Sequence, residues 1–390
     1  MNPTRMQTKA VEQFTCLGAQ CPDTCCKGWG MQLTKETIDH YTSEAPELME
    51  SVSSGEAEFI MRRDPVTDYC VKFDAGLCGI HRDYGESFLG DACHFYPRIT
   101  RALGSTVMTT AALSCPETAR LMLYGDDTFT LAARSEIRTP FSLRNVLPVD
   151  MSEDAALAIH QQFIDMAGDV QFSAAYNLMR ISALARAIEM QPMHVWAEAV
   201  PMYAMMAQGR IPQAEANPAD VFNLVHALHG LMAASPNPRP LLVQLVHRVA
   251  QSLGVTFEPN GAMQLAPDAS VCALRQLARM RTQETTIEPA LRRYVQAQLS
   301  QALFPFAGFG TTLGARVTVI GVRLATLRLA LATLDDAPSA DEVVSVVYNL
   351  ARFMDHLADP ALSMQIYQDT GWVRESRLRP ILVAVCFGAP

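Results

Sequence analysis

The apolar positions of this chain fall into two regimes. From about Ser152 onward they recur at helical spacing: Leu178, Ile181, Leu184 and Ile188 stand three or four residues apart and line one face. Ile320, Leu324, Leu327, Leu331 and Leu334 make a second seam. After it, Ser339-Ala340-Asp341-Glu342 is a capping box that opens a helix carrying Val343, Val347, Leu350, Met354 and Leu357. The turn between the two, Asp335 to Pro338, predicts an antiparallel helical hairpin. The first part of the chain lacks long periodicity. Turn-forming dipeptides punctuate it, among them Cys21-Pro22, Asp64-Pro65, Ala75-Gly76 and Tyr96-Pro97, and predict short helices and loops. A polar, Pro-punctuated stretch follows (Gly125-Asp126-Asp127, Thr139-Pro140, Leu147-Pro148) and reads as a connection. The expected fold is therefore mainly α. An irregular cysteine-rich metal-binding domain over 1–124 precedes a linker over 125–150 and an all-α helical domain over 151–390, with a softer break over 255–286 that would divide the helices into two bundles.

Composition agrees with a globular, helix-rich protein, with 49% hydrophobic and 18% charged residues. A net charge of -9 argues against general nucleic-acid affinity, which needs a basic face, and suits a basic protein segment as partner. The N-terminus carries no apolar leader, and Val317 to Leu334, the most apolar helical run, is broken by Arg323 and Arg328. The expectation is a cytoplasmic protein that does not span a membrane.

Eight of the ten cysteines precede residue 116: Cys16, Cys21, Cys25, Cys26, Cys70, Cys78, Cys93 and Cys115. Such a set forms disulfides in a small secreted domain. Without a leader, and with a large helical region attached, thiolates holding metal are the better account. Zinc usually takes two Cys-x2-4-Cys knuckles; Cys21-x3-Cys25 fits one, and Cys70-x7-Cys78 is too long for the other. The adjacent pair Cys25-Cys26 suits two metal centres or two corners of a cluster, because neighbouring side chains diverge. Zinc and iron–sulfur both stay open on spacing alone.

Six ordered segments carry a resemblance: Phe14-Thr15-Cys16, Cys21-Pro22-Asp23-Thr24-Cys25-Cys26-Lys27-Gly28-Trp29, Leu77-Cys78-Gly79-Ile80, Gly85-Glu86-Ser87-Phe88-Leu89, Cys93-His94-Phe95-Tyr96-Pro97-Arg98 and Leu113-Ser114-Cys115-Pro116-Glu117. Together, over residues 14 to 121, they resemble the bacterial flagellin lysine-N-methylases and the wider group of cysteine-cluster proteins described as zinc- or iron-chelating. The resemblance implies a 4Fe-4S cluster and transfer of a methyl group from S-adenosylmethionine to lysines of flagellin. The alternative is a non-enzymatic zinc- or iron-binding module that serves partner binding. The chain lacks the Cys-x3-Cys-x2-Cys loop of radical S-adenosylmethionine enzymes, since Cys26 follows Cys25 directly, and it lacks a strand-to-helix Gly-x-Gly-x-x-Gly loop. The nearest approach, Gly308 to Gly314, reads as a helix-entry loop.

Candidate catalytic residues within these segments are Glu86, to receive the substrate ammonium or its proton, Tyr96, to assist positioning, and Arg98, to hold a carboxylate of Asp74, Glu117 or the methyl donor. His81 and His94, beside the cysteines, are further candidate ligands or proton carriers. His226 and His229, three apart on a helix, read as packing residues. Cys272 and Cys386 read as core cysteines, and Trp196 and Trp372 as core or inter-helix contacts.

Overall fold

A computed structural model describes residues 4–54, 59–133, 140, 143–207, 218–233, 238–355 and 382. Leu357, Thr139, Trp372 and Cys386 lie outside the described residues.

The mainly α expectation holds for the helical region. Helices Glu153–Gly168, Ala174–Glu189, Trp196–Met206, Pro218–Ala233, Pro240–Ser252, Ala269–Ala302, Leu313–Leu331 and Ala340–Asp355 build one large hydrophobic core. Their starts follow from capping chemistry: Ser152, Ser173 and Thr312 each accept a hydrogen bond from the backbone N–H three residues on. The capping box forms as expected, with Ser339 Oγ accepting from Glu342 N (3.3 Å) and the Glu342 carboxylate accepting from Ser339 N (2.9 Å). Leu178, Ile181, Leu184 and Ile188 are all buried. Leu313–Leu331 is buried on every side, so its seam is part of a wholly enclosed central helix that includes Arg323 and Arg328. Among the described residues no helix is long and apolar enough to cross a membrane.

Three expectations need correction. The region after Gly254 is not a break through residue 286. A short hairpin, Val255–Phe257 with Met263–Leu265, is followed by the continuous 34-residue helix Ala269–Ala302, so the region is not all-α and its longest helix runs through the supposed division. The N-terminal region is not loops and short helices alone. A four-stranded mixed sheet runs in the order Arg98–Leu103, Thr106–Ala111, Thr4–Thr8, Leu131–Ala133, with Thr4–Thr8 parallel to Thr106–Ala111 and antiparallel to Leu131–Ala133. Its last strand lies in the stretch read as a connection. Finally, Cys272 is half-buried beside the Asp268 carboxylate (3.7 Å); Ala273 next to it is buried, but Val271 and Leu274 point to solvent on a helix surface.

Core packing follows this sheet. Ala10, Val11, Ala111, Leu113, Ala119 and Met122 pack into the same core as the helices. A second, smaller core is made by Met31, Leu33, Tyr41, Leu48, Met61 and Ile80, and Cys26, Cys70, Cys78 and Cys93 pack on it. This small lobe holds a three-stranded antiparallel sheet (Gln32–Leu33, Phe59–Met61, Val52–Ser54), the helix Lys35–Glu44 and the ribbon Phe73–Asp74 with Leu77–Cys78.

Candidate functional site

The fold sorts the eight N-terminal cysteines into two groups. Cys25, Cys26, Cys70, Cys78 and Cys93 act on one another electrostatically within the small lobe. Cys16, Cys21 and Cys115 form a second group, linked through Cys21, whose field interacts with both of the others. Local structure places the first group. Cys78 ends a two-residue strand and caps the helix Gly79–Tyr84, so the backbone N–H groups of Ile80 and His81 face its sulfur. Cys70 is tied to the Cys26 carbonyl by its own N–H (2.8 Å).

The single S–H of Cys26 is shared between the sulfurs of Cys25 and Cys78. That sharing lowers the Cys78 thiol to about 6 and the Cys25 thiol to about 7 and pushes Cys26, the shared donor, upward. Burial raises Cys70, Cys93, Cys21 and Cys115. Five gathered thiols, two of them lowered, are soft sulfur donors of the kind a thiophilic metal takes. Among the described residues, however, no group of three or more Cys, His, Asp or Glu side chains is arranged to hold a metal ion.

A buried ion-pair latch holds this lobe to the helices. Asp23, between Cys21 and Cys25, takes Arg239 (2.6 Å) and Arg352 on the same carboxylate oxygen. Arg352 also donates to the carbonyls of Thr24 (3.0 Å) and Ser114 (2.6 Å), and Arg239 to that of Lys27. Gly28 allows the approach: its φ is +83°, and a Cβ there would stand 3.2 Å from Arg239 Nε.

Beside the lobe, between it and the helices, lies a cleft of about 820 Å³. Trp29 and Tyr96 stand on its wall, ring centroids 5.7 Å apart, and Trp29 Nε1 donates to the Cys25 carbonyl (2.6 Å). Of the candidate residues, Tyr96 and Arg98 line this cleft and Glu86 does not. Glu86 is exposed, 3.5 Å from His94 Nδ1. Tyr96 donates to Ser114 Oγ (3.3 Å), and burial pushes its phenol above the usual range. Arg98 holds neither expected carboxylate, since Asp74 pairs with Arg82 (2.9 Å) and Glu117 with Arg120 (2.6 Å). His81 is exposed, its field helping to lower Cys78. His226 and His229 lie over the Phe257 ring, at 6.5 and 3.6 Å. Trp196 is buried and donates to the Gln191 carbonyl (3.1 Å). The Gly308 to Gly314 loop enters the Leu313–Leu331 helix, and Gly308 and Phe309 reach the cleft.

Reading the sequence missed the latch and the helical wall of the cleft, where Gln298, Gln301, Arg316 and Arg323 stand with Arg101 of the sheet. Asp23, inside the Cys21 to Trp29 segment, is the one signal of the latch that the sequence carries.

No family model and no solved structure matches the chain. Among curated proteins it is 24% identical over 148 residues to the lysine-N-methylases of Salmonella typhimurium and of Salmonella choleraesuis, a match covering 35% of this chain and 37% of theirs. It is 24% identical over 147 residues to the flagellar biosynthetic protein FliU of Salmonella muenchen, covering 35% of this chain and 85% of that protein. The chain thus spans little more than a third of the methylases it matches. Over that third it is similar to the lysine-N-methylases, which bears out the resemblance carried by its cysteine segments.

Proposed function

We propose that the protein is a lysine N-methyltransferase that modifies flagellin, with S-adenosylmethionine as donor and a 4Fe-4S cluster, or zinc in its place, on the N-terminal cysteines. The observation that carries this reading is the five-thiol group packed beside a cleft walled by Tyr96 and Arg98, in a chain similar to lysine-N-methylases. Cys25, Cys26, Cys70, Cys78 and Cys93 would hold the metal centre, with Cys16, Cys21 and Cys115 as a second set of thiol ligands. Such a centre supplies Lewis-acid or redox chemistry next to the cleft.

The remaining chemistry falls to the chain itself. A lysine must lose its ammonium proton before its nitrogen can attack a methyl group. Tyr96, its phenol raised by burial, stays protonated and orients the amine through its oxygen rather than serving as base. The guanidiniums around the cleft disfavour a second cation there and so favour the neutral amine. Glu86 and His94, outside the cleft lining, would meet the substrate's ammonium at the surface.

The test is incubation of anaerobically purified protein with S-adenosylmethionine and flagellin of the same organism, with mass spectrometry of the flagellin and metal analysis of the enzyme. Methylated lysines are expected. Tyr96→Phe should lower kcat without loss of metal, and Glu86→Gln should raise KM. A metal-replete protein that methylates neither flagellin nor co-purifying proteins would favour the partner-binding module instead.

A further inference from the structure

The outer edge of the N-terminal sheet forms a wall of the cleft. Arg98–Leu103 stands at the end of the strand order and pairs with Thr106–Ala111 on one side. On its other side, among the described residues, only Ala102 is engaged: it donates to Arg144 O (3.0 Å) and accepts from Val146 N (2.9 Å). Successive backbone groups point to alternate sides of a strand, so Arg98 and Thr100 turn their N–H and C=O the same way as Ala102. There they meet no strand among the described residues, which leaves a template for pairing. Arg98, Ile99, Thr100 and Arg101 all line the cleft and stay half-buried, whereas Ala102 and Leu103 are buried. Neighbouring side chains on a strand face opposite ways, so a cavity that touches all four runs along the edge.

The same edge is cationic in a chain that is acidic overall. Arg98, Arg101 and Arg316 form no ion pair with a carboxylate among the described residues, whereas Arg323, also on the wall, is answered by Asp355 (2.7 Å). Backbone carbonyls hold two of them: Arg101 Nε donates to Gln301 O (3.3 Å), and Arg316 donates to Gly310 O (3.2 Å) and Pro305 O (2.5 Å). Arg98 lies over the Phe14 ring (5.5 Å). Carbonyl acceptors fix the guanidinium planes but leave the positive charge standing. Burial and the field of Arg144 both hold Arg101 and Arg316 below the ordinary arginine range. Glu189, engaged by the Leu313 N–H (2.7 Å), reaches Arg316 through its field alone. Three guanidiniums thus gather where the edge ends, and they call for an anion. The edge itself calls for a backbone, because alternating N–H and C=O groups are matched by another extended chain. An acidic peptide segment meets both demands, and a small anion meets only the first.

We propose that the cleft takes an extended segment of the substrate protein as an added strand on the Arg98–Leu103 edge, with Arg101 and Arg316 receiving an acidic side chain of that segment. The inference rests on the methyltransferase reading above and adds to it the conformation and the sequence context of the target lysine. A chain charge of -9 by itself favours a basic partner; the cleft selects for acid near the lysine. With the lysine at Tyr96, a rise of ~3.3 Å per residue places the carboxylate about five residues away.

Binding is read on the full chain, purified anaerobically, without methyl donor. The probe is a displayed library of peptides roughly thirteen residues long, long enough to span the edge, with lysine fixed at the centre and every other position random. Retained peptides should be enriched in Asp and Glu about four to six residues from the lysine. Changing that acid to its amide should weaken binding about tenfold, the loss expected for one charge-assisted hydrogen bond. Backbone N-methylation should weaken binding at alternate residues and be tolerated between them, the pattern of a strand held by one edge. Arg101→Gln and Arg316→Gln should erase the difference between acid and amide peptides. No retained peptide, retained peptides no more acidic than the starting library, or N-methylation tolerated at every residue overturns the inference, and these readouts on wild-type protein stand even if a variant fails to fold. An acid preference that survives in both folded variants also overturns it. The activity is judged separately: flagellin methylation without acidic, strand-like peptide binding removes this inference alone, whereas such binding with no methylated product removes the activity alone.

Discussion

Asp23→Asn removes the one negative charge that Arg239 and Arg352 share. All three side chains are largely enclosed, with 15% of Asp23, 18% of Arg239 and 7% of Arg352 exposed, so solvent does little to screen the loss. Breaking such a pair leaves uncompensated buried charge, and with the asparagine oxygen retaining one acceptor the cost is about 3 kcal/mol. The loss falls first on docking of the Cys21 to Gly28 loop against the helices. At 1.4 kcal/mol per factor of ten, the undocked population should rise ~100-fold. If the whole chain instead unfolds as one unit, its 390 residues at ~2.1 cal/mol/K each give ~0.8 kcal/mol/K, and Tm should drop by ~4 °C. Hydrogen exchange at the Cys26 and Lys27 amides reads the first effect and calorimetry the second. Arg352→Met in the Asp23→Asn background should cost less than the sum of the two single changes, because one of the two orphaned guanidiniums is gone. Unchanged exchange and Tm in Asp23→Asn, or strict additivity in the double variant, would show that these ion pairs do not dock the loop.

Three further outcomes are expected. Metal-free protein should alkylate with pH profiles in which Cys78 and Cys25 ionise at about 6 and about 7 while Cys26 resists; profiles near the ordinary thiol value for all three would remove the shared-donor arrangement. His160 is buried, holds Phe304 O (2.8 Å) and has its pKa lowered by desolvation, so the unfolded chain binds more protons below pH 6.5. Urea midpoints should therefore fall as pH drops from 6.5 through the lowered folded value, and His160→Leu should flatten that slope by no more than ~1.4 kcal/mol per pH unit. Leu324→Ala, at a fully buried point of the central helix, should cost about 3 kcal/mol in urea unfolding, and a cost under ~1 kcal/mol would mean that this helix is not the packed centre.

The sequence by itself determined what is local. The seam from Leu178 to Ile188, the Ser339 capping box and the clustering of cysteines were all legible, because helix faces and caps are set by residues three or four apart. The Thr106–Ala111 strand was not. It is buried on both faces, so it shows no alternation, and its threonines are satisfied from afar, as Thr110 is by Ser300 (2.9 Å). Of its two partners, Arg98–Leu103 is adjacent in the chain but Thr4–Thr8 lies about a hundred residues away, and pairing over such separation leaves no short-range signal. Arg239 and Arg352 carry no local mark of their role; the fold brings them to Asp23, more than two hundred residues upstream. Charge shows the same division. Summation over the chain yields -9, yet the cleft gathers arginines, because a total is a property of composition whereas a field depends on which side chains packing brings together and which it leaves without a counter-ion.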